Sequence, residues 1–172
     1  MKEYLALLAK YNSHVNRELY AIAAKLTAKQ RSKQVGSFFK SILGLLNHIY
    51  SADLGWLVRF NEKLGPFKEL DAPELRDPLP ERGALMFEDF ATLQAKRASL
   101  DSVIERFIAA FPEADLKKSF TFTLRNGQQR TLVVWQALAH LFNHETHHRG
   151  AVSQVLDELG VENDYSNLMA IV

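Results

Sequence analysis

Four stretches of this chain carry apolar residues at alternating steps of three and four, a period that confines each to an α-helix with one buried face. The first, Lys2 to about Lys25, places Tyr4, Leu8, Tyr11, Val15, Leu19, Ile22 and Leu26 on one stripe. The second, from about Lys33 to Asn61, does the same with Phe38, Ile42, Leu45, Ile49, Trp56 and Phe60, and Gly65-Pro66 stops it. Unbroken, that helix runs for roughly eight turns. The third, about Ala84 to Ala110, turns Phe87, Phe90, Leu93, Leu100, Ile104 and Phe107 inward, with Pro112 beyond its end. The fourth extends from about Leu132 to Leu159, with Gly160 as its C-terminal stop.

The connections complete the architecture. Residues 66–83 hold four of the five prolines and read as an irregular crossing, long enough to carry the chain along a bundle and permit a crossover topology. Ser119 to Leu124 alternates Phe120, Phe122 and Leu124 with polar residues; Asn126-Gly127 and Gln129 to Val133 follow. That pattern predicts a β-hairpin closed by a two-residue turn in which both central residues take positive φ. The expectation is an all-α protein, a four-helix bundle with a small β-hairpin before the last helix, forming one domain over residues 1–172.

With no cysteine in the chain, disulfide scaffolds, thiolate zinc clusters, iron–sulfur centres and cysteine nucleophiles are excluded, and any metal must sit on His, Asp or Glu. The 21 Lys+Arg against 20 Asp+Glu leave a formal charge of +1 with no basic stripe, so no nucleic-acid partner is expected. Met1 to Leu8 is apolar but gives way to Lys10, Asn12 and Asn16, which predicts neither export nor membrane insertion and a cytoplasmic location.

Four of the six histidines, His140, His144, His147 and His148, fall within nine residues. On a helical wheel the apolar face of Val134, Ala137, Leu141, Val152, Val155 and Leu159 has His148 near its middle and His144 well within it. His140 sits on the margin, His147 points to solvent, and Glu145 faces inward. The i, i+4 spacing brings His144 and His148 together as two ligands of one ion require. His48 on the second helix, flanked by the small residues Ser41, Ala52 and Gly55, is the third candidate. The plain alternative is a set of core histidines paired with backbone or carboxylate groups; the ligand spacing favours a metal.

His144-Glu145-Thr146-His147-His148 also satisfies H-E-x-x-H, the zinc-peptidase helix in which the glutamate is general base. The context opposes that reading. Gly150 follows the second histidine by two residues rather than three, no later histidine is present, and no sheet precedes the helix.

Three strings carry a resemblance to a known family. They are Tyr11-Asn12 with Asn16-Arg17 and Leu19-Tyr20; Leu46-Asn47-His48-Ile49 followed by Asp53, Trp56 and Arg59-Phe60; and His140 to Gly150, the most specific of the three. Together they resemble the DinB (DNA-damage-inducible) family within the DinB/YfiT-like metal-binding superfamily. The resemblance implies a four-helix bundle holding a divalent transition metal, zinc, nickel or iron, on His48, His144 and His148. It also implies a homodimer. Characterised relatives include transferases that use a low-molecular-weight thiol, and others are grouped as hydrolases. The family name refers to damage-induced expression rather than DNA binding. Ala151 departs from the glutamine that many members carry after Arg-Gly.

The leading expectation is therefore a metal-dependent enzyme of small-molecule or stress metabolism, a thiol S-transferase or a hydrolase acting on a small-molecule substrate. The alternative is a non-enzymatic stress-response or binding protein whose metal ties two helices together, its fourth position closed by His140 or Glu145. No catalytic residue is assigned. Asn12, Asn16, Trp56, His140, Glu145 and Arg149 are candidates for a pocket. Set against that, Asn12 and Asn16 read as helix-surface polar groups, Trp56 as a core aromatic and Arg149 as an ion-pair partner of the second or third helix. Tyr11, Phe38 and Phe87 read as core, and His14 as solvated.

Overall fold

A computed structural model describes residues 1–172 apart from Ser37, Arg82 and Arg125. Its helices are α1 (Lys2–Ala24), α2 (Ala28–Arg31), α3 (Ile42–Leu64), α4 (Phe90–Ala110) and α5 (Val134–Glu158), and strands β1 (Ser119–Thr123) and β2 (Gln129–Val133) form an antiparallel hairpin. The fold is the expected helical bundle with a hairpin before its last helix.

Helix α1 packs on α4 and α5, and α3 packs on α4 and α5, so α1 and α3 face each other across the bundle diagonal. Contacts along the seams fix the directions. Tyr20 stacks on Phe90 while Asn16 donates to Asp101, so α1 and α4 are antiparallel. Asp53 pairs with Arg97 and Phe60 stacks on Phe107, so α3 and α4 run parallel. A parallel successor obliges the chain to return the length of the bundle. Residues 65–89 do this in an irregular path with single 3₁₀ turns at Lys68–Leu70 and Pro73–Arg76.

Two helices start later than their periodicity predicts, and in each case a cap is the reason. Helix α3 begins at Ile42 because the Ser41 hydroxyl accepts from the Gly44 N–H at 3.1 Å, and Lys40, with φ of 66°, turns the chain into that cap. Phe38 is thus excluded from the helix and is 61% exposed rather than core. Helix α4 begins at Phe90 because Asp89 accepts from the N–H of Thr92 at 2.8 Å and from its hydroxyl at 2.6 Å. Phe87 lies ahead of that cap, half-buried edge-on to Tyr50. The Thr27 to Ser32 connection contains the short α2, closed by a Thr27–Gln30 capping box.

The buried stripe of α1 is also rotated by one position from the apolar count. Leu5, Ala9, Asn12, Val15, Asn16 and Leu19 point inward, whereas Tyr4 is 58% exposed and Tyr11 is half-buried, its hydroxyl donating to the Ser166 carbonyl. Two asparagines occupy the inner face, and a hydrophobicity count cannot see them.

The hairpin pairs Phe120 with Leu132 and Thr121 with Thr131. Its turn is longer than the predicted two residues: Leu124 N donates to the Gln128 carbonyl, and Gly127 N to the Leu124 carbonyl. Of Asn126 and Gly127 only the glycine has positive φ, at 84°. Phe120 lies 6.0 Å from Phe60, and Phe122 lies 5.7 Å from Trp56, which seats the hairpin on α3 near the start of α5. Among the described residues no helix is long and apolar enough to cross a membrane.

Candidate metal centre

Helices α3 and α5 are antiparallel neighbours, so His48, one and a half turns into α3, meets the middle of α5. There its Nε2 lies 3.0 Å from Nε2 of His144 and 3.2 Å from Nε2 of His148. One ligand atom from each of the three falls within 4.8 Å of the others, an arrangement that could hold a metal ion. Neither His140 nor Glu145 joins the group among the described residues.

The spacing fits one ion. Three ring nitrogens bound tetrahedrally at about 2.05 Å stand about 3.3 Å apart. Protons alone satisfy the cluster poorly. A neutral imidazole Nε2 is either an N–H or a lone pair, so in a ring of three at least one pair must present like groups. A divalent cation accepts all three lone pairs at once. The two α5 imidazoles are also held in the neutral, ligating form: burial, reinforced by the charges of His148 and His140, lowers the pKa of His144 to about 4, and burial with His147 lowers that of His148. The His144 Nδ1 is buried without a hydrogen-bond partner, so the orientation of that ring comes from packing.

Phe39 packs on the other two rings of the cluster. Its ring stacks on His48 at 3.8 Å between centroids and meets His148 edge-on at 5.4 Å, covering the cluster from one side. Gly44 makes this approach possible, since a Cβ there would stand 1.9 Å from the Phe39 carbonyl oxygen. Gly44→Ala is expected to push the 38–41 segment away from α3, lower stability by about 1–3 kcal/mol and uncover His48. A thermal melt together with metal titration checks both effects.

Behind the histidines lies a buried polar network that joins all four long helices. Glu145 accepts from Asn12 at 2.6 Å, Asn16 at 3.0 Å and Arg149 at 2.8 Å. Arg149 also donates to the side-chain carbonyl of Asn12. Arg97 pairs with Asp53 at 2.6 Å and Asp101 at 2.7 Å, and Asn16 donates to Asp101 at 3.0 Å. Asn12 and Asn16 are each 1% exposed, so they are not helix-surface groups, and Asn16 lies on the wall of a separate cleft of about 240 Å³ between α1 and α4. Arg149 pairs with its own helix and α1 rather than with the second or third helix.

The network corrects the wheel reading of α5. Glu145 and Arg149 hold the middle of the buried face, while His144 and His148 sit half-buried at its edge, where they can meet both His48 and solvent. Glu145 is spent on the network and turned from the cluster, so H-E-x-x-H here lacks the free glutamate a zinc peptidase needs. The sequence reading missed Asp53, Arg97 and Asp101 as members of this network. The available signal was the placement of Arg97 and Asp101 four residues apart on the inward stripe of their helix. Trp56 and His140 come together, ring to ring at 5.4 Å, on the wall of a cavity beside the cluster rather than in the core. His14 is half-buried and within 2.8 Å of Arg17.

The chain is 26% identical over 162 residues to "Protein DinB" of Bacillus subtilis (strain 168), across 93% of this chain and 88% of that one. No solved structure matches at a significant level. The sequence model of the DinB family matches residues 1–170, nearly the whole chain, and the protein belongs to the DinB family.

Proposed function

We propose that this protein is a metal-dependent enzyme of small-molecule or stress metabolism, in which His48, His144 and His148 hold one divalent transition ion, zinc, nickel or iron. The observation that carries the reading is the convergence of three imidazoles, with no fourth histidine or carboxylate joining them among the described residues. Structural sites are saturated by protein ligands, whereas three ligands leave a position for substrate. A divalent ion so held would lower the pKa of a thiol or of water towards neutrality.

The chain's own residues favour thiol transfer over hydrolysis. Glu145, the base that a hydrolytic H-E-x-x-H helix would use, is engaged by Asn12, Asn16 and Arg149. A thiol needs less help from a base than water does, because its unperturbed pKa already lies near 8.5. Phe39 keeps solvent from one side of the cluster. Beside that ring a cleft of about 220 Å³, lined by Phe39, His48, Ser51, Ala52, Pro80 and Glu81, gives a small molecule access to His48.

The test is turnover of glutathione with monochlorobimane by the metal-loaded protein. The sulfur bonds to the bimane methylene carbon as chloride leaves, and the thiol proton passes to solvent. Fluorescence growth is expected to exceed that of 4-nitrophenyl acetate hydrolysis relative to the uncatalysed rates, and to disappear in His48→Ala. A protein that binds its metal stoichiometrically yet turns over neither compound is one in which the ion only ties α3 to α5, and the enzyme reading is then wrong.

A further inference from the structure

The cavity beside the cluster has a volume of about 490 Å³ and lies between α3, the start of α5, the hairpin and Leu79 of the long connection. That is the size of pocket a small organic ligand occupies. Its walls divide by chemistry. Trp56, Phe122, Leu124, Leu132 and Leu79 supply apolar surface, while Arg59 and Arg130 supply two positive charges; among the described residues no aspartate or glutamate lines it. The Arg59 guanidinium lies 4.5 Å from the ring centroids of both Trp56 and Phe122, in the corner formed where these rings meet edge-to-face, which places the charge at the apolar wall.

The cavity leads to the histidines by two routes. Ser51 and Ala52, one turn beyond His48, line both it and the smaller cleft in front of His48. His140 lines its α5 side, with its ring 6.0 Å from that of His144. Gly55 keeps the floor open: a Cβ there would meet the Leu79 side chain at 3.5 Å.

We propose that this cavity binds a small organic anion with an apolar body, its charge held by Arg130 and Arg59 and its body laid on Trp56 and Phe122. The inference rests on the reading of the histidine cluster as an enzyme's metal centre, and it gives that enzyme's substrate class: an amphipathic carboxylate or phosphate whose far end reaches towards His48.

The experiment is a titration of Trp fluorescence with 2-naphthoate, 2-naphthyl phosphate and uncharged 2-naphthamide. It is run on the protein as purified and again after chelation, so that a metal cannot anchor the anion. At least one of the anions is expected to bind about tenfold or more tightly than the amide in both preparations. Arg130→Gln is expected to remove that preference, as loss of one charge-assisted contact does, and Arg106→Gln on the exposed face of α4 is expected to keep it. Equal binding of anion and amide, anion binding only with metal present, a preference surviving Arg130→Gln, or no saturable binding each overturns the proposal. Metal content measured on the same samples separates the two readings: an anion pocket without metal refutes only the metal centre, and a metal-loaded protein without anion preference refutes only the pocket.

Discussion

Replacement of any one of His48, His144 and His148 by alanine is expected to strip the protein of its metal. Elemental analysis of wild-type protein, purified without chelator or histidine tag, should find about one equivalent of a divalent transition ion, because three nitrogens at this spacing define one site. Each alanine variant leaves two ligands, and affinity is expected to fall by at least ~100-fold, the upper end of what losing even an outer-shell partner costs. Stability supplies a second readout. An ion that binds only the folded chain raises stability by about 2.7 kcal/mol at a hundredfold excess over its Kd, and this rise should vanish in all three variants. His140→Ala and His147→Ala are expected to keep the metal, since neither belongs to the cluster. A full equivalent retained in His48→Ala would mean that the histidines are a packed polar group.

The parts of this molecule that a linear sequence discloses are those with a local cause. The helical period of Ile42, Leu45, Ile49 and Phe60, the prolines of the long connection and the alternation of Phe120 and Phe122 each act within a few residues, and each produces the predicted element. His48, His144 and His148 were legible for a related reason: i, i+4 spacing fixes two of them, and small neighbours mark the third. The lost details arise from side chains whose partners are far along the chain. Asn12 and Asn16 look like surface residues until Glu145 and Arg149, more than a hundred positions away, arrive to satisfy them. Once polar groups occupy an inner face, the hydrophobic stripe reports the wrong centre, which is why the wheel put His148 where Glu145 and Arg149 lie. The delayed starts of α3 and α4 were readable in principle, as Ser41 and Asp89 are good caps, but the apolar period continued through both and outweighed them.

Removing one charge of the buried network should cost more than almost any other single change in this protein. Arg97→Met keeps the bulk of the side chain but leaves Asp101 without its cation and Asp53 without its hydrogen-bond donor, and breaking a buried pair in this way costs about 3–5 kcal/mol. For a chain of this length that is a fall of roughly 10 °C in the thermal midpoint. Asp53→Asn should behave quite differently. Three buried acids, Asp53, Asp101 and Glu145, face two buried arginines, so a single proton balances the charge, and its place is Asp53. Burial, the charge of Glu145 and the hydrogen bond between the two carboxyls raise the Asp53 pKa well above 3.8, with Arg97 opposing, while Arg97 and Arg149 hold Glu145 low against its burial. An asparagine reproduces this state, with its carbonyl accepting from Arg97 and its amide donating to Glu145, and should change stability by less than about 1 kcal/mol. The pH dependence has a definite sign. A carboxyl whose folded pKa exceeds its unfolded one stabilises the fold fully below the unfolded value and loses that contribution as pH rises through the folded value. Wild-type stability should therefore decline with rising pH more steeply than that of Asp53→Asn, and the part remaining in the variant belongs to Asp101, which burial raises to about 7. Thermal melts of wild type, Arg97→Met and Asp53→Asn across that range decide the matter: an asparagine variant as unstable as the methionine one would place a charge on Asp53 and leave the buried network one proton short.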